Sequence, residues 1–366
     1  MLYFLADQWL KNGGPPLFTY ITSRALFGFF TAFFLSLVLG RPIIKWLFLK
    51  GFRDYPRNFG NIAVGSKSGT PTMGGVIVAV SAFFSILMWS DLTNPRIWLI
   101  LFSMLVFGLL GYWDDNSKRV EKSAEGGISR IKKLIPQFLF GIIMAACVFF
   151  PEAGFFNDDN GHAIYIPFIK DPIVHIYGGI FVLGFCWSIG VTNAVNYTDG
   201  LDGLLIVPAF FCFLVLALFS YVHGNKVIAE YLHYPYFVGV GELTVICSIY
   251  MGCCLGFLWF NAFPAEVFMG DFGSLMIGGV LMTISFLIRE EVIFLIVGGV
   301  IVFEFLSSAV QDYYFIKLRG MRFFRQAPFH RSLKNGHGIA EPKVVVRYWI
   351  VSAVVAAIAI ITLKVR

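Results

Sequence analysis

Long apolar stretches, separated by short polar segments, run along almost the whole chain. A helix that crosses a membrane needs about 20 predominantly apolar residues. The pattern predicts ten such spans, at residues 22–40, 73–90, 96–113, 134–150, 172–190, 200–221, 237–259, 272–288, 292–315 and 344–363. The segments between them are too short to form a separate soluble domain. We therefore expect a single integral membrane domain over residues 1–366.

The composition agrees with this pattern. Of the 366 residues, 58% are hydrophobic and only 14% are charged, and 41 are Phe. Such an apolar content exceeds that of average soluble proteins. The expected fold class is an all-α polytopic membrane protein, with its polar chemistry at helix ends and in loops.

Positive charges fall mainly on one side of the predicted membrane. The segments after spans one, three and nine hold 20 of the 28 Lys and Arg residues. Because cytoplasmic loops are enriched in Lys and Arg, this side is predicted to face the cytoplasm. With ten spans, both termini then lie on the opposite side.

Five aspartates are predicted on that same side, at the ends of spans three, six and eight. Carboxylates near a bilayer cost free energy unless they pair, face water or bind a cation. Asp114, Asp115, Asp199, Asp202 and Asp271 have no adjacent basic residue. One shared site is therefore a hypothesis, and helix capping by Asp is the alternative.

The segment Asp199-Gly200-Leu201-Asp202-Gly203 suggests a ligand site at a helix start. Its two carboxylates are spaced i, i+3, which predicts one helical face, and its glycines allow close backbone approach. Asn193 and Asn196 continue the same spacing upstream. Such a face can bind a metal ion or sugar hydroxyls.

Asp271 is a candidate Mg²⁺ ligand. Mg²⁺ commonly takes one or two protein carboxylates and completes its shell with water and substrate phosphates. Phe268, three residues earlier, is either a stacking platform for a base or a packing residue.

Two basic segments add candidates for phosphate chemistry. Lys67 precedes a glycine- and hydroxyl-rich run that includes Thr72, and such runs can approach phosphates; Lys67 can also simply mark the cytoplasmic side. His330 lies in the most basic loop and is a candidate proton carrier or hydrogen-bond donor to phosphate.

Five segments, taken in order along the chain, resemble one family. They are residues 69–75, 114–115, 193–204, 261–275 and 341–347. Together they are similar to the phospho-N-acetylmuramoyl-pentapeptide transferases of the polyprenyl-phosphate N-acetylhexosamine-1-phosphate transferase superfamily.

The resemblance implies a Mg²⁺-dependent reaction in the bacterial inner membrane, at an active site facing the cytoplasm. Undecaprenyl phosphate would attack the pyrophosphate of UDP-N-acetylmuramoyl-pentapeptide, releasing UMP and forming the first lipid-linked peptidoglycan intermediate. The partners would be these two substrates and the lipid bilayer, with no nucleic acid. A homodimer is a further candidate assembly.

The resemblance also implies roles for individual residues. Asp271 would bind Mg²⁺, and Asp114, Asp115 and Lys133 would line the catalytic cleft, with His330 as a further catalytic residue. The nucleotide site would be formed by Lys67, Thr72, Asn196, Asp199, Gly200, Leu201, Asp202, Asn261 and Phe268, with Asn193 beside it.

One departure from the family and three alternatives stay open at this stage. The family's three consecutive histidines are replaced here by His330-Arg331-Ser332. A sister transferase using UDP-N-acetylglucosamine would share the chemistry, although the region from His330 to Glu341 favours the muramoyl-pentapeptide enzyme.

An ion-coupled transporter would place carboxylates near mid-membrane, where Glu304 is the clear candidate and is expected to pair inside the bundle. A covalent aspartyl-phosphate is an alternative mechanism.

Overall fold

Helices form almost all of the regular structure in the computed structural model, which describes residues 1–54, 69–123, 126–156 and 159–364. The α-helices are α1 (Leu2–Lys11), α2 (Ile21–Leu49), α3 (Gly75–Trp89), α4 (Pro95–Glu121), α5 (Arg130–Phe149), α6 (Gly179–Thr198), α7 (Ile206–Gly224), α8 (Lys226–Tyr231), α9 (Leu243–Asn261), α10 (Gly270–Leu287), α11 (Glu291–Val297), α12 (Gly299–Ala309), α13 (Phe329–Arg331) and α14 (Glu341–Ile361). Two π-helical segments follow α12 and α13, at Val310–Leu318 and Ser332–Gly336. Strands β1 (Ala163–Ile164) and β2 (Val174–His175) pair antiparallel between α5 and α6.

The expected all-α polytopic membrane fold is confirmed. Within the described residues, eight helices are long and apolar enough to cross a membrane, and a bent helix pair raises this number to nine. Every predicted span contains a helix, but in two spans the helix is too short or is broken. Helix α3 has only 15 residues, and the predicted span 292–315 bends by 84° between α11 and α12. The bend falls at the pair Gly298 and Gly299, where the missing side chains permit a break.

Helix α4 is longer than the predicted span 96–113. It begins at Pro95, where the Asn94 side chain accepts a hydrogen bond from the Arg96 backbone N–H at 3.0 Å. It ends at Glu121, and the left-handed backbone of the next residue, Lys122 (φ 49°), terminates the helix. The helix therefore continues past its acidic pair, because those carboxylates are paired inside the protein.

Helix α10 lies at the centre of the bundle. Every residue from Gly273 to Leu287 is buried, and α3, α4 and α6 pack around the helix. At Gly111 the α4 backbone approaches so closely that a Cβ there would overlap the backbone of Asp271 and Phe272. This glycine lets the acidic part of α4 lie directly against the start of α10.

The long helices alternate in direction, which puts the starts of α5 and α10 and the ends of α4, α6 and α9 at one end of the bundle, here called the site end. At the opposite end, the buried guanidinium of Arg24 at the start of α2 donates to Glu242, which precedes α9 (Nη1 to Oε2, 2.8 Å). The strands β1 and β2 lie at this opposite end as well, because they connect the end of α5 to the start of α6.

Candidate active site

Three aspartates meet where α4 passes the start of α10. Asp114, Asp115 and Asp271 each offer a carboxylate oxygen, and these oxygens lie within 4.8 Å of one another. Asp114 and Asp115 are buried, and the Asp271 side chain retains 18% exposure. The structure thus brings these three of the five predicted aspartates together, and their role as a shared site stays a prediction. The prediction that the acidic pair lies at a helix end is wrong, because α4 continues to Glu121.

Two lysine ammonium groups lie among these carboxylates. Lys133, at the start of α5, contacts Asp114 Oδ2 and Asp271 Oδ2, each at 3.0 Å. Lys118, one turn after Asp114 on α4, contacts the same two oxygens at 2.6 and 3.1 Å. Sequence reasoning had Lys133 as a site residue but treated Lys118 only as a loop charge. The i, i+4 spacing from Asp114 was the signal that could have identified Lys118.

Asp115 also fixes the start of α10. Its two carboxylate oxygens accept the backbone N–H groups of Asp271 and Phe272, at 3.2 and 3.0 Å. The first amides of a helix have no partner within the helix, so a carboxylate supplied by α4 takes the place of an N-cap. Asp115 thereby sets the position of Asp271. Asp114 is held by the backbone N–H of Ile128, which donates to Oδ1 at 2.8 Å.

The segment Asp199 to Gly203 is a loop, so the prediction that it starts a helix is wrong. Asp199 follows the last residue of α6, and α7 begins only at Ile206. Gly203 has a left-handed backbone (φ 74°), which ends the helical spacing on which the prediction rested. Asp199 and Asp202 therefore do not lie on one helical face.

Hydrogen bonds hold this loop in place at the site end. Asn261 accepts from the Gly203 backbone N–H at 3.0 Å and donates to the Val267 carbonyl at 2.9 Å. The Asp202 carboxylate accepts from the Ala265 N–H at 3.1 Å, and Glu341 Oε1 accepts from the Asp202 N–H at 3.2 Å. Asn261 and Asp202 therefore shape the loop.

The Asp199 carboxyl is affected by the charges of the aspartate cluster. Burial raises the pKa of its carboxyl to about 8, and the negative charges of Asp271, Asp115 and Asp202 add to the increase. A cation among those carboxylates would oppose this increase.

Asn193 and Asn196, both predicted to contribute to the site, form hydrogen bonds with different helices. Asn196 donates to Ser274 Oγ of α10 at 2.8 Å, near the site. Asn193 donates to Gln137 Oε1 of α5 at 3.1 Å and to the Ile189 carbonyl of its own helix at 2.8 Å. Asn193 thus joins α6 to α5 instead of continuing a ladder toward Asp202.

His330 is fully buried beside the loop. Its Nδ1 lies 3.1 Å from Glu304 Oε2, and its backbone N–H donates to Glu304 Oε1 at 3.1 Å, while the Tyr348 hydroxyl also donates to Glu304. The ring Nε2 is buried without a hydrogen-bond partner among the described residues and faces Gly200, where a Cβ would overlap the ring. The expectation that Glu304 pairs inside the bundle is confirmed, and its contact with His330 is a feature that sequence reasoning missed.

The remaining nucleotide-site candidates lie on two adjoining segments. The Phe268 backbone N–H donates to the Pro71 carbonyl, and the Gly74 N–H donates to the Phe268 carbonyl, each at 2.8 Å. Thr72 lies between these contacts and is half-buried, as is Leu201 on the neighbouring loop. Lys67 lies outside the described residues.

The cluster suits a small divalent cation. Its donors are carboxylate oxygens, which hard cations such as Mg²⁺ prefer, and three of them converge from two helices. Two ammonium groups lie against these three carboxylates and offset only part of their negative charge, so the cluster attracts cations. Asp114 and Asp271 would hold the metal, with Asp115 behind them.

Comparison with known families finds two matches. The model of glycosyl transferase family 4 matches residues 97–289, more than half of the chain, from α4 through the end of α10. Signature 1 of the phospho-N-acetylmuramoyl-pentapeptide-transferases matches residues 67–77. The first match contains Asp114, Asp115, Lys133 and Asp271, and the second contains Lys67 and Thr72.

Proposed function

The chain belongs to glycosyl transferase family 4, as a phospho-N-acetylmuramoyl-pentapeptide transferase, and we propose that it takes its phospho-sugar from a UDP-linked precursor and passes it to undecaprenyl phosphate with the help of Mg²⁺. It transfers phospho-N-acetylmuramoyl-pentapeptide to a lipid carrier and is a multi-pass membrane protein. The observation that carries the proposal is the convergence of Asp114, Asp115 and Asp271 with two lysines at one end of a membrane bundle.

In the proposed reaction, a phosphate oxygen of the lipid attacks the phosphorus that bears the sugar. The bond between that phosphorus and the oxygen bridging to UMP breaks, and UMP leaves with the electron pair. Phosphoryl transfer depends mostly on positioning and on neutralising charge. The lipid phosphate is largely dianionic at neutral pH, since its second pKa is about 6, so a general base contributes little.

The cluster residues supply this positioning. Mg²⁺, when bound, would offset the negative charge of the diphosphate. Asp271 and Asp114 would hold the metal, and Lys133 would contact phosphate oxygens. Asp115 keeps the start of α10 against α4. His330, held by Glu304, directs its Nε2 toward the loop that begins at Asp199.

The nucleotide is proposed to bind between that loop and the Thr72–Phe268 segment. Phe268 stacks on the uracil ring. Both segments lie at the site end, next to the cluster. The pocket residues are Lys67, Thr72, Asn196, Asp199, Gly200, Leu201, Asp202, Asn261 and Phe268, with Asn193 supporting α6.

The substrates also imply a location. A soluble UDP-linked precursor is made in the cytoplasm, so we propose that the site end faces the cytoplasm across the bacterial inner membrane. The concentration of Lys and Arg in the site-end segments supports this orientation. Self-association as a homodimer stays a prediction.

An assay of UMP release tests the function. The purified protein is incubated with UDP-N-acetylmuramoyl-pentapeptide, with and without undecaprenyl phosphate and with Mg²⁺ or EDTA. We expect release only when lipid phosphate and Mg²⁺ are both present. UDP-N-acetylglucosamine is run in parallel, and faster release from it would instead support the sister transferase. Release without Mg²⁺ would contradict the metal proposal.

A further inference from the structure

The ammonium group of Lys118 occupies the centre of the acidic cluster. Its Nζ lies 2.6 Å from Asp114 Oδ2, 3.1 Å from Asp271 Oδ2 and 4.0 Å from Asp115 Oδ1, so it faces all three carboxylates. Lys133 reaches only two of them. The Lys118 side chain is 24% exposed, so little water screens these contacts.

A metal ion on these oxygens would have to displace Lys118, and also Lys133, which contacts the same two atoms. Mg²⁺ binds carboxylate oxygens at about 2.0 to 2.1 Å. An ammonium nitrogen at 2.6 and 3.1 Å from those same oxygens would then lie close to the metal, and the two cations would repel each other strongly. Binding of the metal therefore competes with the ammonium groups, and Lys118 is the one that faces all three carboxylates.

After displacement, Lys118 remains close to the reacting groups. Its backbone is fixed in α4, one turn beyond Asp114, and a lysine side chain is a flexible stem that carries three hydrogen-bond donors. Phosphates bound to the metal would be the nearest anions available to it. The carboxylates of Asp114 and Asp271 would by then be neutralised by the metal.

We propose that Lys118 holds the three carboxylates together before the metal binds, gives way to the metal, and then contacts the phosphate oxygens of the substrates as a catalytic residue. Only the contact with substrate phosphates, the second half of this inference, rests on the proposed function. The first half, the displacement of Lys118 by the metal, is tested by measuring metal affinity in the substrate-free protein.

The test is a Mn²⁺ titration followed by electron paramagnetic resonance, on the full-length protein in detergent and without substrate. Lys118→Met removes the competing charge and keeps the length of the side chain. We expect this variant to bind Mn²⁺ at least about tenfold more tightly than the unaltered protein. Repulsion between two unit charges about 4 Å apart, at an effective dielectric constant near 20, exceeds the free energy of a tenfold change in affinity. Lys132→Met is the matched control, because Lys132 is exposed and directly precedes Lys133 in α5. The Mn²⁺ affinity of Lys132→Met should stay within about twofold of that of the unaltered protein.

Two further variants make the result interpretable. Asp271→Asn should lose most Mn²⁺ binding, which locates the signal at the cluster. Lys118→Gln, a shorter uncharged variant, should bind Mn²⁺ more tightly as Lys118→Met does, and it serves if the Met variant fails to fold. An unchanged or weaker Mn²⁺ affinity in both Lys118 variants would overturn the exchange and leave Lys118 as a structural ion pair.

The second half of the proposal is read from kcat at saturating Mg²⁺. Lys118→Met should lose at least about a hundredfold in kcat while Lys132→Met keeps it, as expected for loss of a charge that stabilises the transition state. Tighter Mn²⁺ binding with unchanged kcat would overturn the phosphate contact. If the proposed function itself were wrong, the unaltered protein would release no UMP, whereas the two Lys118 variants would still bind Mn²⁺ more tightly. The two failures can therefore be distinguished.

Discussion

Asp199 is a residue whose charge opposes folding. Its carboxyl has an ordinary pKa of 3.8 and a pKa of about 8 in the folded protein, because this half-buried group is largely removed from water and lies near the negative charges of Asp271 and Asp115. Between these two values the folded protein keeps a proton that the unfolded chain has released. Stability then falls as pH rises through this window, since the unfolded state binds fewer protons.

We therefore predict that Asp199→Asn changes the pH dependence of stability. In EDTA, the Tm of the unaltered protein should fall relative to the Tm of this variant from about pH 5 to about pH 8, and the difference should level off above pH 8. Mg²⁺ should shrink the difference, because a cation near Asp271 and Asp115 offsets their charge. Thermal melts across this pH range measure the effect, and parallel curves for the two proteins would contradict it.

The absence of a side chain at Gly200 leaves space for the ring of His330, whether or not Gly200 also contacts a nucleotide. A side chain at position 200 would overlap that ring, which Glu304 holds from its other side. We predict that Gly200→Ala lowers kcat/KM at least about tenfold, since forcing a methyl group into a filled space typically costs about 1 to 3 kcal/mol. Gly190→Ala on α6 is the control, because a Cβ there meets nothing within 4 Å. UMP release by the two variants decides the point, and equal activities would show that His330 moves aside freely.

At the scale of elements, the approach of α4 to α10 builds the cluster. Gly111 allows it, because a Cβ at this position would overlap the backbone at the start of α10. We predict that Gly111→Ala separates Asp271 from Asp114 and weakens Mn²⁺ binding at least about tenfold, by the same overpacking cost. Gly108→Ala is matched to it: the added Cβ would lie 3.6 Å from the Phe272 ring, an ordinary contact. Its Mn²⁺ affinity should stay within about twofold. Equal losses in both variants would mean that helix separation does not control the site.

The same elements show what the sequence could and could not predict. Apolar length alone located every long helix, because a membrane span needs a continuous apolar stretch. It placed the end of α4 too early, at residue 113 instead of Glu121, and the start of α7 too early as well, at residue 200 instead of Ile206. The first error arose because the acidic pair was taken as solvated, whereas tertiary partners such as Lys118 keep it inside a helix. The second arose because the spacing of Asp199 and Asp202 was taken as helical, whereas the left-handed backbone of Gly203 interrupts it. The role of Glu304 beside His330 depended on a contact across 26 positions that no local pattern records.

The molecule as a whole carries its candidate catalytic residues at one end. The aspartates, the basic site-end segments and the loop after α6 all lie there, whereas the hairpin of β1 and β2 lies at the other end. Positive charge resists transfer across the membrane during insertion, so the end rich in Lys and Arg should remain in the cytoplasm. A cytoplasmic site is also what a soluble nucleotide-linked substrate requires.

Orientation can be measured with single cysteines and a membrane-impermeant maleimide on spheroplasts. Asp171→Cys, exposed near β2, should react on intact spheroplasts, whereas His337→Cys, exposed after the π-helical segment Ser332–Gly336, should react only after permeabilisation. The unaltered protein gives the background, since its six own cysteines are free and lie in apolar helices. UMP release by each variant confirms that the labelled protein is folded. The opposite labelling order would place the acidic cluster outside the cytoplasm, where a UDP-linked precursor would not reach it, and the proposed substrate would have to be abandoned together with the orientation.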